Sequence, residues 1–135
     1  MAAGYSVTPL VRKLGFKPGM RAHYVHAPEH FPALVGTLPG GVRVLERAAS
    51  ALDLVVLFAT ERAELERRLA SLQPRLAPAG MLWVSWPKRA SKVLTDITED
   101  VVRELALPRG LVDVKVCAID ETWSGLKLVI RKQLR

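Results

Sequence analysis

LDLVVLFATERAELERRLASLQPRLAPAGMLWVSWP, residues 52–87, is the stretch that decides the fold. Its two apolar runs, residues 54–59 and 81–86, are typical of strands that are buried on both faces of a parallel sheet. Leucines recur between the runs at spacings of four, three and four, which predicts one apolar helix face. They are Leu65, Leu69, Leu72 and Leu76. We expect Thr60 to cap this helix and Pro74 to end it, giving a strand–helix–strand unit.

The residues before this unit predict two more strands. Alternation indicates strands at residues 21–26 and 42–46, and a short helix is expected between them at 29–38. Residues 1–19 are expected to form an arm or a short helix that ends in a Pro-Gly turn. Strands that alternate with helices in this way favour a mostly parallel sheet with helices on both faces.

The residues after the unit predict one helix and a closing pair of strands. Asp96 and Glu99 have capping-box spacing before a stripe that consists of Ile97, Val101 and Leu105. Valines alternate at 112, 114 and 116 in the first strand of the pair, and apolar residues alternate at 126, 128 and 130 in the second. The short connection between them predicts an antiparallel hairpin. We therefore predict one α/β domain over residues 1–135, a three-layer Rossmann-like sandwich with a mostly parallel sheet and a C-terminal antiparallel hairpin.

Two resemblances rest on these segments. The acid-led strand, the helix and the P-x-G-x-L turn in residues 52–87, with the terminal pair in residues 112–132, resemble the second half of a class I S-adenosylmethionine-dependent methyltransferase. The segments AGYSVTPLVRKLGFKPG and ITEDVVRELALPRGLVDVKVCAIDETWSGLKLVIRK resemble a family of small bacterial proteins that is catalogued only as a domain of unknown function. The second resemblance implies a bacterial cytoplasmic protein and brings no activity with it.

Composition and charge restrict the class of protein. Half of the 135 residues are hydrophobic and the formal net charge is +7, so a basic globular protein is expected. The cations alternate with acids in ERAELERRL, which favours a solvated helix over a nucleic-acid-binding face. The longest apolar run is far shorter than the roughly 20 residues of a membrane span. A single cysteine, Cys117, and the absence of a secretory signal pattern favour the cytoplasm.

The turn after the first predicted strand lacks the glycines of a cofactor-binding turn. Methyltransferases and dinucleotide-binding domains place glycines there so that the backbone can approach the cofactor. This chain has His26, Pro28 and Glu29 instead, although Glu46 follows the second strand, where an acid could accept bonds from ribose hydroxyls. S-adenosylmethionine therefore stays open as a cofactor, without its glycine-rich turn.

Ligands of open α/β sheets bind at the carboxyl ends of the strands. The fourth strand ends there in Trp86 and the cations Lys88, Arg89 and Lys92. The candidate ligand-binding residues at this edge are His26, Glu29, Glu46, Trp86, Lys88, Arg89, Ser91, Asp120, Glu121 and Trp123. Packing of the tryptophans and pairing of the two acids with the cations are the structural alternatives. We expect no metal site, because the three histidines fall on different faces, and no serine nucleophile, because a nucleophile elbow is missing.

Three functions remain open from the sequence. The leading hypothesis is a non-catalytic module that binds a small anionic or nucleotide-like ligand with Trp86, Lys88, Arg89 and Trp123. A divergent S-adenosylmethionine-dependent methyltransferase is the second hypothesis. The third is a protein or nucleic-acid interaction subunit, favoured by the net charge of +7 and by edge-strand pairing. The sequence does not decide whether a reaction is catalysed, nor the oligomeric state.

Overall fold

The computed structural model describes residues 8–135, so the predicted N-terminal arm lies partly outside the described residues. The α-helices are Leu10–Leu14 (α1), Phe31–Val35 (α2), Arg62–Leu72 (α3) and Glu99–Ala106 (α4). The strands are Arg21–Val25 (β1), Arg43–Leu45 (β2), Leu52–Phe58 (β3), Leu76–Pro87 (β4), Leu111–Ala118 (β5) and Trp123–Ile130 (β6). No helix in this part of the chain is both long enough and apolar enough to cross a bilayer.

The six strands form one mixed sheet in the order β2-β1-β3-β4-β6-β5. Strands β2, β1, β3 and β4 pair in parallel with one another, and β6 lies antiparallel between β4 and β5. The predicted α/β class and the closing antiparallel hairpin are therefore confirmed. The carboxyl ends of all the parallel strands lie along the same side of the sheet, and β6 begins on that side. We call it the carboxyl edge.

Helices cover both faces of the sheet. On one face, the predicted leucine stripe of α3 is buried, and it shares a core with Val102 of α4. On the other face, α1 and α2 bury Leu14 and Phe31 in a second core. Trp83 of β4 is fully buried in this second core, and its indole N–H donates to the carbonyl oxygen of Leu14 at 2.9 Å. This bond fixes the short α1 to the centre of the sheet. We name the two sides the α3/α4 face and the α1/α2 face.

Both predicted helix caps are wrong, because neither side chain caps the helix that was expected. The side chain of Thr60 makes no capping bond to α3. The carboxylate of Asp96 accepts the backbone N–H of Arg62 at 2.6 Å, so Asp96 caps α3 from a distant segment. Thr98 is the cap of α4 instead, because its hydroxyl oxygen accepts the backbone N–H of Val101 at 3.2 Å. The segment before α4 is thereby tied to the beginning of α3.

The valine alternation of β5 is interrupted. The register between β5 and β6 shifts between Asp113 and Lys115, which leaves Val114 unpaired. Val114 is 56% exposed and Val116 is 48% exposed, so the predicted common side of Val112, Val114 and Val116 is not a core face. Position explains the difference, because β5 is an edge strand and a bulge bends it away from regular pairing.

The APAG segment, residues 77–80, overlaps the P-x-G-x-L turn of the sequence and is an irregularity inside β4. The register shifts where Leu52 pairs with Leu76 and Leu54 pairs with Met81. A Cβ atom at Gly80 would lie 2.6 Å from the carbonyl oxygen of Leu52. The close approach of the two backbones therefore requires glycine at this position.

Gly80→Ala tests this constraint against the matched change Gly40→Ala. An added Cβ at Gly40 meets no atom within 4 Å. We expect Gly80→Ala to lower the free energy of unfolding by about 1–3 kcal/mol, as overpacking does. Gly40→Ala should change it by less than about 0.5 kcal/mol. Urea unfolding of both variants measures the difference, and equal effects would contradict the assigned register.

Candidate functional site

A groove of about 500 Å³ opens at the carboxyl end of β4, where the chain turns towards α4. We call it the corner groove. Its lining includes Trp86, the cations Lys88, Arg89 and Lys92, and the apolar side chain of Leu94. Leu94 is 93% exposed, whereas Trp86 is only 7% exposed. The groove therefore has an apolar floor at Trp86, an apolar rim at Leu94 and three cations in its lining.

Local hydrogen bonds shape the corner. The hydroxyl of Ser91 donates to the carbonyl oxygen of Lys88 at 2.6 Å and accepts the backbone N–H of Val93 at 3.2 Å. Lys92 has a left-handed φ of 62° and ends the short helical turn at 89–91. The backbone N–H of Lys88 donates to the carbonyl oxygen of Thr122 at 2.7 Å. The corner is thus fixed to the β5–β6 connection, and the Ser91 hydroxyl is occupied in the turn itself.

The cations of the corner are not neutralised by the described residues. Among residues 8–135, none of the side chains of Lys88, Arg89 and Lys92 forms an ion pair. Glu99 also lines the groove, but its carboxylate pairs with Arg103 of the same helix. The positive charge of the corner is therefore available to a ligand.

Asp120 does not neutralise the cations of the corner, and pairs with a histidine instead. Its carboxylate lies 2.8 Å from Nε2 of His30. The other carboxylate oxygen accepts the backbone N–H groups of Thr122 and Trp123, each at 2.8 Å. Burial raises the pKa of Asp120, but the hydrogen bonds from His30 and the two N–H groups outweigh burial and lower it overall. These contacts tie the β5–β6 connection to the residue that precedes α2.

The turn after β1 is occupied by side chains. His26 has a left-handed φ of 56°, a conformation that glycine adopts without strain. Its Nδ1 lies 3.2 Å from the carboxylate of Glu64, and its Nε2 lies 2.9 Å from the guanidinium of Arg68. Pro28 follows and has no backbone N–H to offer. This turn does not fit the pose in which a glycine-rich backbone approaches S-adenosylmethionine.

The two candidate tryptophans lie on opposite faces of the sheet. Trp123 meets the ring of Phe58 edge-to-face, with centroids 5.1 Å apart. Phe58 in turn contacts Phe31, and Phe31 contacts Tyr24, each pair with centroids 4.9 Å apart. Burial in this row raises the pKa of Tyr24 to about 12. Trp86 instead belongs to the core of the α3/α4 face. The two indoles therefore do not form one stacking site.

The remaining candidates stand apart from the corner groove. Glu29, Glu46 and Glu121 are exposed at the carboxyl edge. In residues 8–135, no cluster of three or more His, Cys, Asp or Glu side chains is arranged to hold a metal ion. Of the ten sequence candidates, the groove brings together Trp86, Lys88 and Arg89. The groove also contains residues that are not among these candidates, such as Leu94. The feature of the sequence that could have pointed to Leu94 is the presence of an apolar residue in a cationic loop.

Comparison with solved structures identifies the fold. A SAM-dependent methyltransferase from Aquifex aeolicus aligns with a TM-score of 0.63 at 15% identity, covering 90% of this chain and 88% of that chain. Aeropyrum pernix fibrillarin, in complex with natively bound S-adenosyl-L-methionine, aligns with a TM-score of 0.61 at 14% identity, covering 93% and 70%. A Methanococcus jannaschii fibrillarin, a pre-rRNA processing protein, aligns with a TM-score of 0.63 at 13% identity, covering 95% and 71%.

The chain therefore has the Rossmann-like fold of class I S-adenosylmethionine-dependent methyltransferases. No protein-family model matches the sequence, and the comparison with curated proteins finds no significant match. At these identities the similarity shows the fold alone, so the function has to be argued from the site.

Asp120→Ala tests the tie between α2 and the β5–β6 connection, with Glu121→Ala as the matched loss of one exposed carboxylate. Since folding lowers the pKa of Asp120, its contribution is complete above the ordinary value of 3.8 and is lost as the pH falls through the lower folded value. At pH 7 we expect Asp120→Ala to lower the free energy of unfolding by about 1–3 kcal/mol.

The deficit of Asp120→Ala should shrink below about pH 4, while Glu121→Ala stays close to the wild type throughout. Urea unfolding at a series of pH values measures both. A deficit that does not change with pH would contradict the charged role of Asp120.

Proposed function

We propose that this protein is a non-catalytic binding module, which holds a small anionic, nucleotide-like ligand in the corner groove. The observation that supports this function best is the set of three unpaired cations, Lys88, Arg89 and Lys92, around a groove of about 500 Å³ with an apolar floor. A phosphate group would be met by the cations, and an aromatic base or other apolar group would lie against the floor and rim.

The position and size of the groove support a small ligand. It lies at the carboxyl edge of the sheet, where ligands of open α/β folds bind. Its volume of about 500 Å³ is within the usual range for small-molecule sites. The cations come from one short segment, which suits the recognition of one or two phosphate groups better than an extended nucleic-acid backbone.

Three hydroxyl groups at or beside the groove are engaged in hydrogen bonds of the fold, which supports binding without catalysis. The hydroxyl of Thr95 donates to the carbonyl oxygen of Thr60 at 2.6 Å, and the hydroxyl oxygen of Thr98 caps α4. The hydroxyl of Ser91 is bonded within its own turn. These three groups stabilise the groove and its corner, so none of them is in place as a nucleophile beside a general base. Ser124 also lines the groove, and among residues 8–135 its hydroxyl is not hydrogen-bonded to a His, Asp or Glu side chain.

A divergent methyltransferase is the second candidate function, and it is favoured by the similarity of the fold to a fibrillarin with bound S-adenosyl-L-methionine. Glu46 follows β2 and is exposed, where a carboxylate could accept bonds from ribose hydroxyls. Binding in the usual pose would require the turn at His26 to give up its contacts with Glu64 and Arg68. The same protein therefore needs to be offered both classes of ligand.

Thermal unfolding with AMP and with S-adenosylhomocysteine separates the two functions. We expect AMP to raise the Tm of the wild type by mass action and S-adenosylhomocysteine to leave it unchanged. The variant Lys88→Gln/Arg89→Gln should bind AMP at least about tenfold more weakly, because charge-assisted bonds to phosphate are lost. Stabilisation by S-adenosylhomocysteine alone would overturn the binding module in favour of the methyltransferase.

Arg131→Gln/Lys132→Gln is the matched control, because it removes two exposed cations beyond the end of β6, at the opposite edge of the sheet. This control should keep the AMP response of the wild type. Equal losses in the two double variants would mean that net charge, and not the corner groove, governs binding.

A further inference from the structure

Four lysines gather on the α1/α2 face, away from the corner groove. Lys13 belongs to α1 and Lys17 follows it, while Lys115 lies on β5 and Lys127 on β6. The ammonium of Lys115 lies 3.5 Å from the carbonyl oxygen of Lys13, so the hairpin and α1 meet here. We call these four residues the lysine cluster. They come from two parts of the chain that are distant in the sequence, the α1 region and the β5–β6 hairpin.

Two members of the cluster are held in an unfavourable arrangement. Lys115 and Lys127 are direct cross-strand partners in the antiparallel pair β5–β6. Like charges placed directly opposite one another on neighbouring strands destabilise a sheet. Burial, followed by the charges of Lys115 and Lys17, lowers the pKa of Lys127. The proximity of these ammonium groups therefore lowers the stability of the folded protein.

No described acid relieves this repulsion. In residues 8–135, none of the four lysines forms an ion pair, and residues 1–7 contain no acidic side chain. The acid of β5, Asp113, is engaged by Arg103 of α4 at 3.0 Å. The repulsion is therefore left for a bound anion to relieve.

A groove of about 320 Å³ lies between α1 and β5 beside the lysine cluster. Lys13, Lys115 and the half-buried Cys117 are among its lining residues. An anion in this groove would meet ammonium groups from both sides, with Lys17 and Lys127 electrostatically coupled to the same surface. A lysine ammonium meets phosphate as a point charge and does not demand one fixed geometry, which suits a flexible phosphate chain.

We infer that the groove between α1 and β5 is a second anion site, in which the lysine cluster binds a compact polyphosphate chain. Several adjacent cations match a ligand whose charges are linked, since a single monoanion would leave most of the repulsion in place. This site is independent of the corner groove and of the function proposed for it.

The test uses inorganic tripolyphosphate and the only cysteine of the chain, Cys117, as a local reporter. All measurements are made on the full chain that already carries Lys88→Gln/Arg89→Gln, so that binding at the corner groove does not contribute. The rate of alkylation of Cys117 by the neutral reagent iodoacetamide is followed with increasing tripolyphosphate, at constant ionic strength. We expect tripolyphosphate to slow alkylation.

Adding Lys115→Gln/Lys127→Gln should raise the tripolyphosphate concentration for half-protection at least about tenfold. Adding Arg131→Gln/Lys132→Gln should not change it. Without ligand, Lys115→Gln/Lys127→Gln should leave the Tm unchanged or raise it, because the cross-strand repulsion is removed. This second readout separates loss of binding from loss of folding.

The inference is overturned if tripolyphosphate does not protect Cys117 in the corner-variant background, or if both added pairs weaken protection equally. It is also overturned if a short DNA duplex protects Cys117 and tripolyphosphate does not, because the ligand would then be a nucleic-acid backbone with a steep dependence on salt. None of these results bears on AMP binding at the corner groove, which is measured with the cluster intact.

Discussion

Strand β4 is the constraint on which the rest of the structure depends, because it pairs in parallel with β3 and antiparallel with β6. Side chains of β4 contribute to the cores on both the α3/α4 face and the α1/α2 face of the sheet. Trp83 anchors α1 to one face, while Trp86 lies in the core of the other. The end of β4 is therefore held by two neighbouring strands and by both cores. A preorganised binding groove requires such a rigid frame.

The fold and the site diverge at the turn after β1. The fold aligns with that of S-adenosylmethionine-dependent methyltransferases, yet His26 takes the left-handed conformation that a glycine would hold without strain. Its ring is fixed between Glu64 and Arg68 of α3, so the strain is supported by two side chains. Side-chain contacts fill this turn, while open space and unpaired cations are found at the corner.

The sequence predicted the elements with regular patterns and missed those that depend on distant partners. The apolar runs of β3 and β4 and the leucine stripe of α3 are local signals, and they correctly gave the α/β sheet. The capping role of Asp96 depends on the N–H of Arg62, which no local pattern connects to it. The valine alternation failed on β5 because an edge position allows a bulge.

The candidate sites were predictable to different degrees for the same reason. The cations of the corner follow one another in sequence after Trp86, so the sequence could point to the corner as an anion site. The lysine cluster is assembled from α1, the residue Lys17 and the hairpin. The register of Lys115 with Lys127 and the contact between α1 and β5 bring it together. The separation of Trp86 from Trp123 likewise follows from which face each side chain takes, and composition does not contain that information.

The measurement that tests the account most directly is a backbone amide NMR titration of the full chain with AMP and, separately, with S-adenosylhomocysteine. If the ligand site lies at the corner, AMP should shift the amide signals of residues 88–95 and leave those of residues 26–31 in place. S-adenosylhomocysteine should shift neither set. Shifts concentrated at residues 26–31 and at Glu46 would contradict the account, because they would place the ligand where methyltransferases hold their cofactor.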